Sequence, residues 1–186
     1  AATADGSPWM YRAWQSDDGL PDISIVGLTQ TSDGYLWVAT KAGLLSFNGR
    51  DFSLVPRTHL VDATARPVRT LLRDRCDRLW LGMERGPLLC LDHDGVTNLT
   101  SLAGLPGQRV EMMAEDGDGG MFVVYSGRQI FRVANHKAER IPVPGDPAST
   151  RGILVASDRT GALWCAVGNE LFIRRPGTWE RIAHLE

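Results

Sequence analysis

The chain has 186 residues, about one domain's length, and its 43% hydrophobic and 23% charged residues support a buried core. A net charge of -2 supplies no basic field for nucleic acid or anionic lipid, so neither is expected as a partner. No apolar run approaches the roughly 18 residues that cross a bilayer, which excludes membrane contact by a spanning helix of this segment.

Residues 1–8 read as a processing or cloning remnant, because Ala1-Ala2-Thr3-Ala4 has the small residues of a cleavage site. Residues 9–15, around Trp9 and Trp14, read as an outer β-strand, and Gly19-Leu20-Pro21 follows. The first full unit then has strands at 25–29, 36–40, 44–47 and 52–55. Ser32-Asp33-Gly34 turns the chain after the first strand, and Asn48-Gly49, a strong hairpin signal, after the third. The second unit repeats this at 68–72, 79–83, 88–91 and 96–99. The third has 110–114, 121–125, 130–133 and 139–143, and the fourth 153–156, 163–167, 171–174 and 179–183. No stretch sustains a 3.6-residue apolar period, so almost no helix is expected.

The units keep register. Trp37, Trp80, Phe122 and Trp164 follow one another at steps of 43, 42 and 42 residues, and Gly104-Leu105-Pro106 repeats Gly19-Leu20-Pro21 at a distance of 85. A period near 42 with four short strands per unit predicts an all-β protein of β-propeller blades, about four of them, at roughly 20–56, 62–100, 105–144 and 148–186. The recurring aromatic is expected to fill the wedge between neighbouring blades, with stacking on sugar as the alternative. Four complete units with five outer strands predict a fragment of a longer repeat array. Its uncapped flanks predict self-association.

The stretch Trp14–Phe52, "WQSDDGLPDISIVGLTQTSDGYLWVATKAGLLSFNGRDF", resembles the two-component regulator propeller repeat. The first unit has Ala39 where that family usually has glycine; the second keeps Leu79-Trp80-Leu81-Gly82 with Arg78 in place of the turn glycine. The third has Phe122 for Trp, and the fourth keeps Asp158, Gly161, Leu163 and Trp164. The resemblance implies the periplasmic sensor region of a membrane receptor, with these blades a fragment of a larger, seven-bladed propeller. Its ligand is often carbohydrate-derived, and its output module, a histidine kinase or diguanylate cyclase, lies outside these residues.

Catalytic and metal motifs are weak. Cys76, Cys90 and Cys165 are odd in number and lack CxxC spacing, which favours small apolar fillers over zinc or disulfides. His59, His93, His136 and His184 fall in loops of different units. Asp116-Gly117-Asp118-Gly119-Gly120 opens like a calcium loop, but Gly120 and Gly127 stand where ligands belong, so it reads as a hairpin turn. Asn98-Leu99-Thr100 fits a glycosylation sequon. No metal, cofactor or catalytic group is assigned. In propellers the second-to-third-strand loops share a face with the connections between blades, and that face carries Lys41, Arg85, Arg109 and Asn169, suited to a polar or anionic ligand. A protein-interaction platform and a propeller enzyme such as a lyase are the alternative readings.

Overall fold

The computed structural model describes residues 12–56, 67–146, 152–175 and 177–184. Four four-stranded antiparallel sheets follow one another, each with its strands in chain order. The first is β1 (Ile25–Gln30), β2 (Leu36–Thr40), β3 (Leu44–Phe47) and β4 (Phe52–Leu54); the second is β5 (Val68–Arg73), β6 (Leu79–Met83), β7 (Leu88–Asp92) and β8 (Gly95–Asn98). The third comprises β9 (Val110–Glu115), β10 (Met121–Tyr125), β11 (Gln129–Ala134) and β12 (Lys137–Ile141), and the fourth β13 (Ile153–Ser157), β14 (Leu163–Val167), β15 (Glu170–Arg175) and β16 (Thr178–His184). Inner strands β1, β5, β9 and β13 are spatial neighbours in that order, and no contact on that scale joins β13 back to β1 among the described residues. The molecule is an arc of four propeller blades.

Each blade is built on the same turn chemistry. Six residues before the aromatic stands a short polar side chain: Thr31, Asp74, Asp116 or Asp158. The aspartate folds the turn by accepting backbone N–H groups two and four residues on. Asp74 takes Cys76 and Arg78, Asp116 takes Asp118 and Gly120, and Asp158 takes Thr160 and Ala162. It also orients the aromatic, because the indole N–H of Trp80 donates to Asp74 at 2.8 Å and that of Trp164 to Asp158 at 2.9 Å. Trp37 donates likewise to the Thr31 hydroxyl. Phe122 has no N–H, and Asp116 instead receives Arg132, the residue cross-strand from Phe122.

The blades pack face to face through apolar seams. Ala39 and Leu44 meet Leu81 and Leu89 in the first seam; Trp80 and Cys90 meet Met121 and Val123 in the second; Phe122 and Val124 meet Leu163 and Cys165 in the third. Gly82 is required by closeness: a Cβ there would come 2.5 Å from Val110 Cβ of the next blade. The four aromatics occupy equivalent register positions, opposite Ser46, Cys90, Arg132 and Ile173. Trp80 and Phe122 are each 4% exposed, as expected of wedge residues, while Trp37 and Trp164 are only half-buried.

Three local expectations change. The second blade's turn position is held by Asp77, at φ 66°, rather than by Arg78. Aspartate tolerates that left-handed conformation, and Arg78, one residue on, turns its guanidinium onto Asp74 instead. The strand read at 96–99 ends at Asn98, whose side chain accepts the N–H groups of Thr100 and Ser101 and caps helix α1 (Leu99–Ala103). The outer strand read at 9–15 falls partly outside the described residues, and its described part, 12–15, is not a strand. There Gln15 and Asp18 cap a 3-10 turn (Ser16–Asp18), Gly19 reverses the chain at φ 93°, and the Trp14 ring lies edge-on to Phe47 at 5.3 Å and to Phe52 at 6.4 Å.

Candidate ligand-binding face

The loops after β2, β6, β10 and β14 lie on one face with the connections that enter the next blade. Glu84 N–H donates to the Pro67 carbonyl, Gly86 N–H to Gly107 and Ser126 N–H to Arg109, so inter-blade connections are stitched to these loops. On this face the second and third blades bring four charges into a chain. The Arg69 Nε is 3.8 Å from Glu84, Arg109 is 3.5 Å from the same carboxylate, and Arg109 Nη2 donates to Glu111 at 2.8 Å. Glu111, then Glu84, hold the Arg109 guanidinium above its ordinary pKa, so it stays charged. The Arg109 Nε and the Thr70 hydroxyl oxygen are buried atoms without a hydrogen-bond partner. Below them a groove of about 510 Å³ runs along inner strands β1, β5 and β9, walled by Arg69 and Glu111 and floored by Leu71 and Met112.

Of the four residues read from sequence, only Arg109 enters this cluster. Lys41 and Arg85 are exposed and join no ion pair among the described residues, and Asn169 is exposed on the last blade. Arg69, Glu84 and Glu111 join the cluster without having been read from the sequence as site residues. The signal was present in Arg109-x-Glu111, whose side chains share one strand face, and in Glu84, which neighbours the chosen Arg85. On the opposite face Asp77 receives Ser32 and Arg73, Glu115 receives Arg75 from the neighbouring blade, and grooves of about 750 and 520 Å³ open beside Asp77 and Asp116.

The remaining motifs settle as turns. Asp116–Gly120 closes the β9–β10 hairpin. His93 and His136 sit exposed at hairpin turns, His184 ends β16, and His59 lies outside the described residues. Asp92, His93 and Asp94 bring ligand atoms within 4.8 Å of one another, yet all three are exposed and Asp92 is engaged by the Asp94 N–H. Cys90 and Cys165 are buried, and burial pushes their thiols up to about 11 and about 12. Among the described residues no helix is long and apolar enough to cross a membrane.

This architecture defines a β-propeller. Residues 19–42 match the family model of the two component regulator propeller. No curated protein matches the chain. Among solved structures it is similar to virginiamycin B lyase from Staphylococcus aureus, at 15% identity and a TM-score of 0.69, covering 88% of this chain and 56% of that one. It is similar to the gluconolactonase of Xanthomonas campestris at 11% identity, TM-score 0.61, covering 87% and 62%. An extracellular domain assigned to a one component system of B. thetaiotaomicron matches at 18% identity, TM-score 0.50, covering 90% and 29%. At these identities the likeness is one of fold, and the chain spans less than two thirds of each.

Proposed function

We propose that this chain is part of the extracytoplasmic, periplasmic sensing region of a two-component-type receptor, and that it contributes to binding an acidic, carbohydrate-derived ligand. The observation that carries the reading is the match of the first blade to the two component regulator propeller. The Arg69–Glu84–Arg109–Glu111 cluster supplies the recognition chemistry, because a ligand carboxylate or sulfate can take Glu111's place on the planar Arg109 fork. The conversion of the bound state into a signal belongs to an output module, a histidine kinase or diguanylate cyclase, outside these residues.

The lyase likeness makes turnover the necessary control. A His→Ala change renders the S. aureus lyase catalytically inactive. Calorimetric titration with neutral, uronic-acid and sulfated disaccharides tests the proposal. An acidic member is expected to bind saturably and unchanged, with affinity falling roughly 10–100-fold in Arg109→Ala, the loss of one charge-assisted hydrogen bond. Turnover of any probe, or no binding of any acidic one, overturns it.

A further inference from the structure

Each seam between blades opens a groove on the turn face beside the recurring aromatic ring. The grooves of the second and third seams measure about 260 and 520 Å³. Each already holds an arginine beside its ring. The Arg78 guanidinium lies 5.6 Å from the Trp80 ring, and Arg132 stands cross-strand from Phe122. Each arginine is ion-paired with its own blade's aspartate, Asp74 or Asp116, and both rings are buried.

The first seam is built differently. Its groove is the largest of the three, about 750 Å³, and Trp37 stands in its wall half-buried. Both blades of this seam are in place, so the exposure of the ring belongs to the seam itself. Ser46 is the residue cross-strand from Trp37, and Tyr35 holds the position that Arg78 takes in the second blade. No cation lies over the Trp37 ring among the described residues.

Around that ring the groove combines an apolar wall with uncompensated negative charge. Val55, Leu91 and Val96 are half-buried along it. Arg78 and Asp77 border it too, but they are paired with Asp74 and Arg73, and His93 leans on Asp94 at 3.3 Å. Asp33 and Asp92 are left, both exposed and joined to no cation among the described residues. One oxygen of each serves its own turn: Asp33 Oδ1 accepts the Thr31 hydroxyl and the Tyr35 N–H, and Asp92 Oδ1 accepts the Asp94 N–H. A groove of this volume suits a small-molecule ligand, and an aromatic face beside carboxylates attracts a cation through the ring quadrupole as well as through charge.

We infer that the groove of the first seam binds a small organic cation, an alkyl- or arylalkylammonium ion. Its ammonium lies between the Trp37 ring and the carboxylates of Asp33 and Asp92, in the place that arginine fills at the other two seams. Its apolar body packs on Val55, Leu91 and Val96. The site is separate from the Arg109 face and opposite to it in charge preference.

Three probes that share a phenylethyl body and differ in the charge of the head test this: phenethylamine, phenethyl alcohol and hydrocinnamate. Each is titrated into the full chain and followed by two-dimensional NMR, with the Trp37 indole N–H signal assigned by its loss in Trp37→Phe. Phenethylammonium is expected to shift that signal saturably and to bind at least roughly tenfold tighter than the alcohol, the discrimination of a partly desolvated cation site. Hydrocinnamate is expected to leave it in place. In the double variant Asp33→Asn/Asp92→Asn each amide keeps the oxygen that its turn uses. There the ammonium's advantage should vanish while the affinity of the alcohol stays. Asp118→Asn, which removes an exposed carboxylate from the third seam's groove instead, should leave ammonium binding as in the wild type. No saturable shift of the Trp37 signal with the ammonium overturns the inference, as does equal binding of ammonium and alcohol, or tightest binding of hydrocinnamate. An advantage that survives the double variant also overturns it, because other groups then hold the charge. So does an equal loss in Asp118→Asn, which means that net charge alone attracts the cation.

Discussion

Asp74 is the most informative residue to remove. It is 2% exposed and accepts four hydrogen bonds: the Cys76 N–H at 3.0 Å, the Arg78 N–H at 2.9 Å, the Arg78 Nε at 2.7 Å and the Trp80 indole at 2.8 Å. Asp74→Ala unfastens the turn and leaves the buried indole N–H and a half-buried guanidinium unpaired. Removing one member of a buried, hydrogen-bonded charge pair costs about 3–5 kcal/mol. For a chain of this size that is a drop in Tm of about 2–4 °C per kcal/mol. Urea unfolding of Asp74→Ala, Trp80→Phe and the double variant isolates the indole bond. Trp80→Phe alone leaves Asp74 its other three donors and should cost about 1–2 kcal/mol, and the cycle should show a coupling of about 1–3 kcal/mol. A cost for Asp74→Ala below about 1 kcal/mol, or a coupling near zero, would refute the claim that this carboxylate organises the blade.

In the third blade Arg132→Ala should destabilise by about 1–3 kcal/mol, and Phe122→Trp in that background should recover part of the loss by returning an indole donor to Asp116; no recovery in urea unfolding refutes the exchange of donors. Gly161→Ala should cost about 2–5 kcal/mol, since its φ is 82° and the new Cβ meets Gly117 of the neighbouring blade, while Gly34→Ala, at φ 90° with open space around it, should cost only about 1–2 kcal/mol; equal losses would contradict the seam geometry. Asp158 is held down at about 2 by the Thr160 hydroxyl and then the Trp164 indole. Its folded pKa lies below the ordinary 3.8, so its stabilisation is complete above about pH 4 and is lost as pH falls toward 2. The stability gap between the wild type and Asp158→Asn should therefore close over that window, and a gap constant with pH refutes the assignment. A thiol reagent at pH 8 should modify Cys76 alone in the folded chain; fast reaction of a second thiol means that Cys90 or Cys165 is not where the seams place it.

The blades were legible because three signals coincide at one spacing: an aromatic in each second strand, apolar alternation around it, and Asp, Asn or Gly at each turn. Sixteen strands follow from them with ends shifted by no more than two residues. What the residues hid was cross-blade chemistry. Asp77 replaces a turn glycine only because aspartate tolerates φ 66°, and Arg78 matters only once Asp74 is known to lie beneath it. The 96–99 strand read one residue too far because Leu99 is apolar, while Asn98 was already acting as a helix cap. The charge cluster was half legible: loop position pointed to Arg109 and Glu111 stands two residues on, but Glu84 comes from a loop of the second blade, and only packing of that blade on the third brings it to Arg109.

The central claim is that recognition of the acidic ligand belongs to the face carrying Arg109 and not to the turn face that stitches the blades. Backbone amide shifts in a two-dimensional NMR titration with the tightest-binding acidic disaccharide test it directly. The account predicts saturable shifts clustered at residues 67–70, 84–86 and 107–111, absent in Arg109→Ala. Shifts centred on the turns at 31–35, 74–78 and 116–120 would contradict it.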